Sequence, residues 1–230
     1  MASDFSKENS MKTAGSAHVY HDLIDYFSHG QLIPPKKIAH PDPSVNEMVG
    51  GKIQTLRRAA VLLPITRLHE NKSSDLVLTV RSRNLKSHAG QISLPGGTSE
   101  DIDKDSIATA LRESEEEIGL KAKHVEVLGR LGDLALPSGF HVTPIVGIVD
   151  QGLNFVACPD EVADIFQAPL DLVLDITAYK KSAMTFDNQE RIILELMYED
   201  YRIWGATAAI LYHLASEIEH WKKIRSDLEI

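Results

Sequence analysis

Apolar residues along this chain gather in short dense runs separated by polar breaks, the pattern of strands and helices stacked in layers. Ala59–Ile65 (AAVLLPI) is a clean apolar run of strand length, and Leu76–Arg81 (LVLTVR) follows after the polar turn RLHENKSSD. SLPGG then breaks the chain, and a helix is expected from there to Ile118, with Gly119 placed as its C-terminal stop. Val125–Leu131 and Val142–Val149 are the next expected strands, split by PSGFH. Helical stretches are expected near Asp160–Phe166 and Leu170–Leu174, a hairpin over Arg191–Trp204, and a closing helix over Thr207–Lys222.

The N-terminal part differs. Residues 1–17 are polar and suggest a flexible leader, and His18–Gly30 carries Val19, Leu23, Ile24 and Phe27 on one helical side. The proline-rich LIPPKKIAHPDPSVNE suggests an irregular connector, so the compact domain is expected to begin near Gln54 and run to residue 230, after a leader segment of 1–53. Strands and helices mixed in this order predict an α/β (α+β) domain, a mixed sheet with helices on both faces.

With 230 residues, 43% of them apolar, the chain can bury a substantial core. No apolar run approaches the ~20 residues of a membrane span, and the N-terminal residues lack the apolar region of a secretory signal. Cys158 is the single cysteine, which excludes an intrachain disulfide and fits a reducing cytoplasm. A net charge of −9 argues against general nucleic-acid binding, so an anionic small molecule would need positive charge gathered locally. Pairing into a homodimer is left open.

The expected helix before Gly119 raises a question of charge, because Glu113, Glu115, Glu116 and Glu117 crowd together in it. With Glu113 at zero and about 100° per residue, Glu116 falls near 300° and Glu117 near 40°, one shared edge. Ile107, Leu111, Ser114 and Ile118 fall between about 100° and 160°, the expected core-facing stripe. A solvated acidic face is one reading. Gly96 and Gly97, stiffened by Pro95, offer the other: a tight loop whose carbonyls, with the carboxylates, form an incomplete hard-oxygen set suited to Mg²⁺ or Mn²⁺ shared with phosphates. Just upstream, Arg81, Arg83, Lys86 and His88 concentrate positive charge before the glycines, a clamp for phosphate or an ordinary solvated strand edge.

GGTSEDIDKDSIATALRESEEEIGL (Gly96–Leu120) resembles the Nudix box, the motif of a family of hydrolases of nucleoside-diphosphate-linked compounds. The half from Arg112 to Leu120 matches throughout except that Ser114 replaces an apolar residue. Gly97 plus five residues reaches Asp103 where the box has Glu, and the next spacer is one residue longer. Val77–Gly97 is similar to the signature of the coenzyme A pyrophosphatase branch, with Leu78, Thr79, Arg81, Ser82, Gly90, Pro95, Gly96 and Gly97 in register and Val77, Lys86 and Leu94 in place of Leu, Arg and Phe.

The resemblance implies a Nudix fold and metal-dependent cleavage of coenzyme A to 3′,5′-ADP and 4′-phosphopantetheine. NADH, ADP-ribose, a dinucleoside polyphosphate, or a non-catalytic sensing role are the alternatives. It implies Glu113 and Glu117 as metal ligands, with Glu116 as a third or as a partner of Arg112. Gly97 either lends its carbonyl to the metal or only makes the turn. Arg112 is expected to orient carboxylates, and the general base is a box glutamate, Glu116 or Glu117, or else Glu161. Arg81, Lys86, Gly90 and Gln91 are placed on the substrate side, and Phe140 either stacks on adenine or covers the core edge.

Overall fold

The computed structural model describes residues 17–228 except 33, 71 and 187. The expected leader thus lies outside the described residues but for its last position.

Apolar runs of strand length pair into a mixed eight-stranded sheet. Arg57–Thr66 forms β1 and Asp75–Arg81 forms β2, antiparallel to it. Two short strands follow, β3 (Ile92–Ser93) on β2 and β4 (Gly96–Thr98) on β1. After the helix come β5 (Val125–Arg130), β6 (Leu134–Ala135), β7 (Phe140–Val149) and β8 (Val162–Pro169). β7 runs parallel to β1 in unbroken register from Arg57 opposite Phe140 to Thr66 opposite Val149. The main path is β3-β2-β1-β7-β5, with β8 on the free side of β2. A second, three-stranded sheet consists of β9 (Lys180–Phe186), β10 (Gln189–Tyr198) and β11 (Tyr201–Trp204).

Alternation along β1 and β2 divides the core into two layers. Ala60, Leu62 and Val77 bury against Ala110 and Ile118 of the central helix. Leu63, Ile65, Leu76 and Leu78 face the other way, into a larger cluster with Leu211, Leu214 and Ile218. These last belong to the closing helix Gly205–Asp227. The sheet therefore lies between helices, the α/β layering that the element order predicts.

Tyr20, Leu23, Tyr26 and Ile38 are buried in that larger cluster, so the core extends well N-terminal of Gln54. Residues 17–25 are helical and continue into a π-helical turn, Tyr26–Gly30. Arg225 clasps this helix through Asp22 at 2.9 Å and Asp25 at 2.8 Å. The segment expected to be irregular holds a helix, Pro43–Gly50, begun by proline and capped by Asp42, whose carboxylate accepts from the Ser44 N–H at 3.0 Å.

A second correction concerns Asp160–Phe166. Most of it is β8, which exchanges ladder bonds with β2 from Asp75 opposite Pro169 to Arg81 opposite Val162. Partners some 80 residues away in sequence decide this, beyond the reach of local periodicity. Leu170–Val173 does form a single helical turn. No helix among the described residues is long and apolar enough to cross a membrane.

Candidate active site

Ser106–Ile118, hereafter the box helix, begins at Asp105, whose carboxylate accepts from the Ala108 N–H at 2.8 Å. It ends at Gly119 in the left-handed conformation (φ 69°), whose N–H bonds Glu115 and Ser114 carbonyls. The buried positions are Thr109, Ala110, Ser114, Glu117 and Ile118. Glu117, expected on an edge beside the apolar stripe, thus sits within the buried face, while Leu111 is only half-buried. Ser114 is tolerated there because its hydroxyl donates back to the Ala110 carbonyl at 2.6 Å.

The glycine loop explains how a carboxylate can be buried. Gly96 has φ 149°, and a Cβ there would strike the Ala60 carbonyl and the Val61 backbone. Its N–H donates to Glu117 Oε2 at 3.0 Å. At Gly97 a Cβ would lie 2.6 Å from the Glu113 carboxyl carbon, so the missing side chain lets Glu113 rest against the loop. Burial pushes the Glu117 carboxyl up to about 7, with Glu161 and Glu113 adding to the shift and the Gly96 N–H and Arg81 opposing it. Burial also raises Glu113, against the pull of Arg112.

Arg112 organises the remaining acids. Its Nε and Nη2 form a fork on Asp103 at 3.1 and 3.0 Å, and Nη2 also reaches Glu113 Oε1 at 3.1 Å and the Thr98 carbonyl at 3.0 Å. Nη1 holds Glu116 Oε2 at 3.1 Å. The fork depresses the Asp103 carboxyl to about 2. Glu116 is drawn outward into this pair, its side chain 58% exposed. The substitution and the longer spacer around Asp103 therefore still deliver a bidentate partner to Arg112.

On the other flank, β2 carries an irregularity between Val80 and Arg81 that re-aims the strand end. Arg81 Nη1 stands 4.0 Å from Glu117 Oε1. Arg81 pairs by backbone with Gln91 and Gly90 (2.9 and 3.0 Å), closing residues 82–91 into a loop that leaves and returns at Arg81. The Ser82 N–H donates to the Glu161 carbonyl at 2.8 Å, fastening that loop to the turn before β8. Motif matching marked Ser82 but not this role, which comes from a contact across the fold. Glu161 ends the turn that leads into β8, not the first turn of a helix. Its side chain is exposed and its charge acts on both Glu113 and Glu117.

Glu113, Glu117, Gly97, Arg81 and Glu161 thus come together, with Gly90 and Gln91 at the loop's return and Lys86 exposed in its middle. Phe140 does not join them. It packs on the opposite core layer beneath the Arg57 guanidinium, 4.2 Å from the ring centre, the position that the core-edge alternative describes. His141 lines a cleft with Arg58, Thr109 and Thr143, its Nε2 3.9 Å from Asp133.

Among the described residues no three His, Cys, Asp or Glu side chains form a metal-holding group by themselves. The donors that do converge are two carboxylates and a glycine backbone. They suit a hard cation that completes its shell with water and phosphate oxygens. The fit rests on Glu117: a carboxylate 3% exposed has one backbone N–H and a guanidinium at 4.0 Å as its compensation. A divalent cation at Oε1 would supply the missing charge.

A model of the NUDIX domain matches residues 55–186. The chain is 42% identical over 163 residues to a Nudix hydrolase NudL of Photorhabdus laumondii, covering 71% of this chain and 86% of that one. It is 42% identical over 164 residues to the NudL protein of Yersinia pestis (strain Pestoides F), covering 71% and 81%. Among solved structures it is similar to a MutT protein from Methanosarcina mazei, with 16% identity, a TM-score of 0.46, and 71% and 94% of the two chains covered. Both sequence and domain model lead to one assignment: this chain belongs to the Nudix hydrolases, enzymes that act on diphosphate bonds.

Proposed function

We propose that this protein hydrolyses the pyrophosphate bond of coenzyme A to 3′,5′-ADP and 4′-phosphopantetheine, or that of an acyl form to 3′,5′-ADP and the acylated 4′-phosphopantetheine, as a cytoplasmic enzyme using Mg²⁺ or Mn²⁺. The observation that carries this reading is the loop of residues 82–91. It lies inside Val77–Gly97, the stretch similar to the coenzyme A signature, and carries the matching Ser82 and Gly90; it leaves and returns at Arg81, and its Ser82 N–H is fastened to the Glu161 carbonyl.

Glu113, Glu117 and the Gly97 carbonyl would hold the cation. When bound, it neutralises phosphate charge and lowers the pKa of a water. Arg112 keeps Glu113 and Glu116 in place. Arg81 donates to the diphosphate from the strand end, and Lys86 adds a mobile point charge from the loop. Glu161 carries no ion pair among the described residues and its charge acts on both the buried Glu117 and the half-buried Glu113, so it takes the proton of the attacking water. Positioning and electrostatics carry most of the acceleration.

The test is a substrate panel of coenzyme A, acetyl-CoA, NADH, ADP-ribose and Ap4A, with and without Mn²⁺, products identified by mass. Release of 3′,5′-ADP with 4′-phosphopantetheine or its acetylated form at the highest kcat/KM supports the reading; preference for NADH, ADP-ribose or Ap4A overturns it.

A further inference from the structure

Glu117 has two oxygens in unlike situations. Oε2 accepts from the Gly96 N–H at 3.0 Å, while the one cationic group within 4.0 Å of Oε1 among the described residues is Arg81, its Nη1 at 4.0 Å, beyond hydrogen-bond length. Arg81 is equally unfinished. Its Nε is buried without a hydrogen-bond partner, and its side chain is 27% exposed. The strand irregularity at Val80/Arg81 aims the guanidinium at this carboxylate. Two groups of opposite charge thus stand close without bonding, at the point where the metal-ligand reading puts a cation.

We propose that Arg81 is a built-in competitor of the divalent cation: it offsets Glu117 in the metal-free protein and is released toward the substrate's diphosphate when the cation enters. A guanidinium and a divalent ion sharing Oε1 would repel at short range, so both cannot keep that position. Oxygen-to-metal bonds of about 2.0–2.2 Å are far closer than the guanidinium contact, so the ion prevails. The displaced guanidinium carries five N–H donors in a fork suited to phosphate, and the exposed loop beside it gives room to turn outward. Metal and substrate then favour each other's binding by a shared side chain, a coupling that is reciprocal by linkage.

This rests on the carboxylate site being the metal site but not on coenzyme A being the substrate. The experiment therefore contains no nucleotide. The Mn²⁺ dissociation constant of the full chain is measured from the EPR signal of free Mn²⁺ for wild type, Arg81→Met, Arg81→Gln and the neighbouring Arg83→Met. Removing a positive charge about 4 Å from the ligand should tighten Mn²⁺ binding roughly tenfold in both Arg81 variants. Arg83→Met, which loses the same charge from an exposed position, should stay within about twofold of wild type.

Equal or weaker binding by the Arg81 variants overturns the proposal, as does an equal gain in Arg83→Met, which would indicate a general field. Absence of Mn²⁺ binding in every protein overturns it together with the metal site, whatever the substrate panel shows. Should the Arg81 variants fail to fold by circular dichroism, wild-type crystals soaked in Mn²⁺ decide. The Arg81 guanidinium is expected farther than 4.0 Å from Glu117 Oε1, and a guanidinium still in place beside a bound ion refutes the competition.

Discussion

The Gly96 N–H donates to Glu117 Oε2 at 3.0 Å and ties the glycine loop to the last turn of the box helix through a carboxylate that is 3% exposed. That bond makes one residue responsible for both holding the loop and offering an oxygen to the site. It also carries a cost in the metal-free protein, because burial disfavours the ionised form.

Glu117→Gln should therefore separate stability from function. Folding raises this carboxyl from the ordinary range to about 7, so its contribution is fully present at low pH and is lost as pH rises through about 7. At pH 8 the metal-free variant should melt several degrees above metal-free wild type. Its turnover should fall at least ~100-fold, and added Mg²⁺ should no longer raise its melting midpoint. Calorimetry with and without Mg²⁺ checks the pair of effects; wild-type-like activity would remove Glu117 from the ligand set.

Asp103→Asn removes one arm of the fork on Arg112. The native carboxyl, lowered to about 2, contributes stability above the ordinary Asp range that is lost as pH falls toward 2. At pH 7 the variant should lose roughly 1–3 kcal/mol, and kcat should drop about tenfold because Arg112 holds Glu113 less firmly. Urea melts and steady-state kinetics measure both.

Glu161→Gln should lower kcat by ~10²-fold or more, within the usual contribution of a positioned base. Mn²⁺ affinity should change by less than a few fold. A large loss of affinity would instead make Glu161 a metal ligand.

Phe140→Ala tests the division of the sheet's faces. The ring packs under Arg57 on the layer away from the box helix. Its loss should cost roughly 1–3 kcal/mol of stability while KM moves less than about twofold. A tenfold rise in KM for an adenine-containing substrate would restore stacking as its role.

Acidification should weaken the fold through two histidines. Burial holds His40 and His213 below the ordinary imidazole range. The unfolded chain then binds more protons as pH falls below about 6.5, and stability drops with it. Glu117 slopes the other way over part of this range, so the cleanest measurement uses Glu117→Gln. Its melting midpoint should be lower at pH 5.5 than at 7.5, and NMR should place both imidazole titrations below 6.5.

Much of the frame was legible before any coordinate. β1 and β2 follow from uninterrupted apolar runs, and the box helix from its periodicity with Gly119 as its stop. The Arg191–Trp204 hairpin follows from its alternation. These signals are local, set within one or two turns or a few strand residues. The strand at Val162–Pro169 was not legible, because DEVADIF suits a helix until β2 supplies its ladder. The helix Pro43–Gly50 was hidden by surrounding prolines, although Asp42-Pro43 is a start signal in its own right. The burial of Tyr20 and Leu23 was likewise invisible, since an amphipathic segment does not name the surface it will cover.

By itself the sequence determined the chemistry on offer: an acid-rich helix after a double glycine, a cationic stretch before it, and the family whose spacing these share. Spacing along a helix puts Glu113, Glu116 and Glu117 near one another because backbone geometry is the same everywhere. Only the tertiary structure decided their separate fates. Arg112 drew Glu116 toward solvent, the sheet and Gly96 enclosed Glu117, and the strand end of β2 brought Arg81 to face it. Charge in a protein is governed by what surrounds it in space, and those neighbours come from parts of the chain that no local pattern connects.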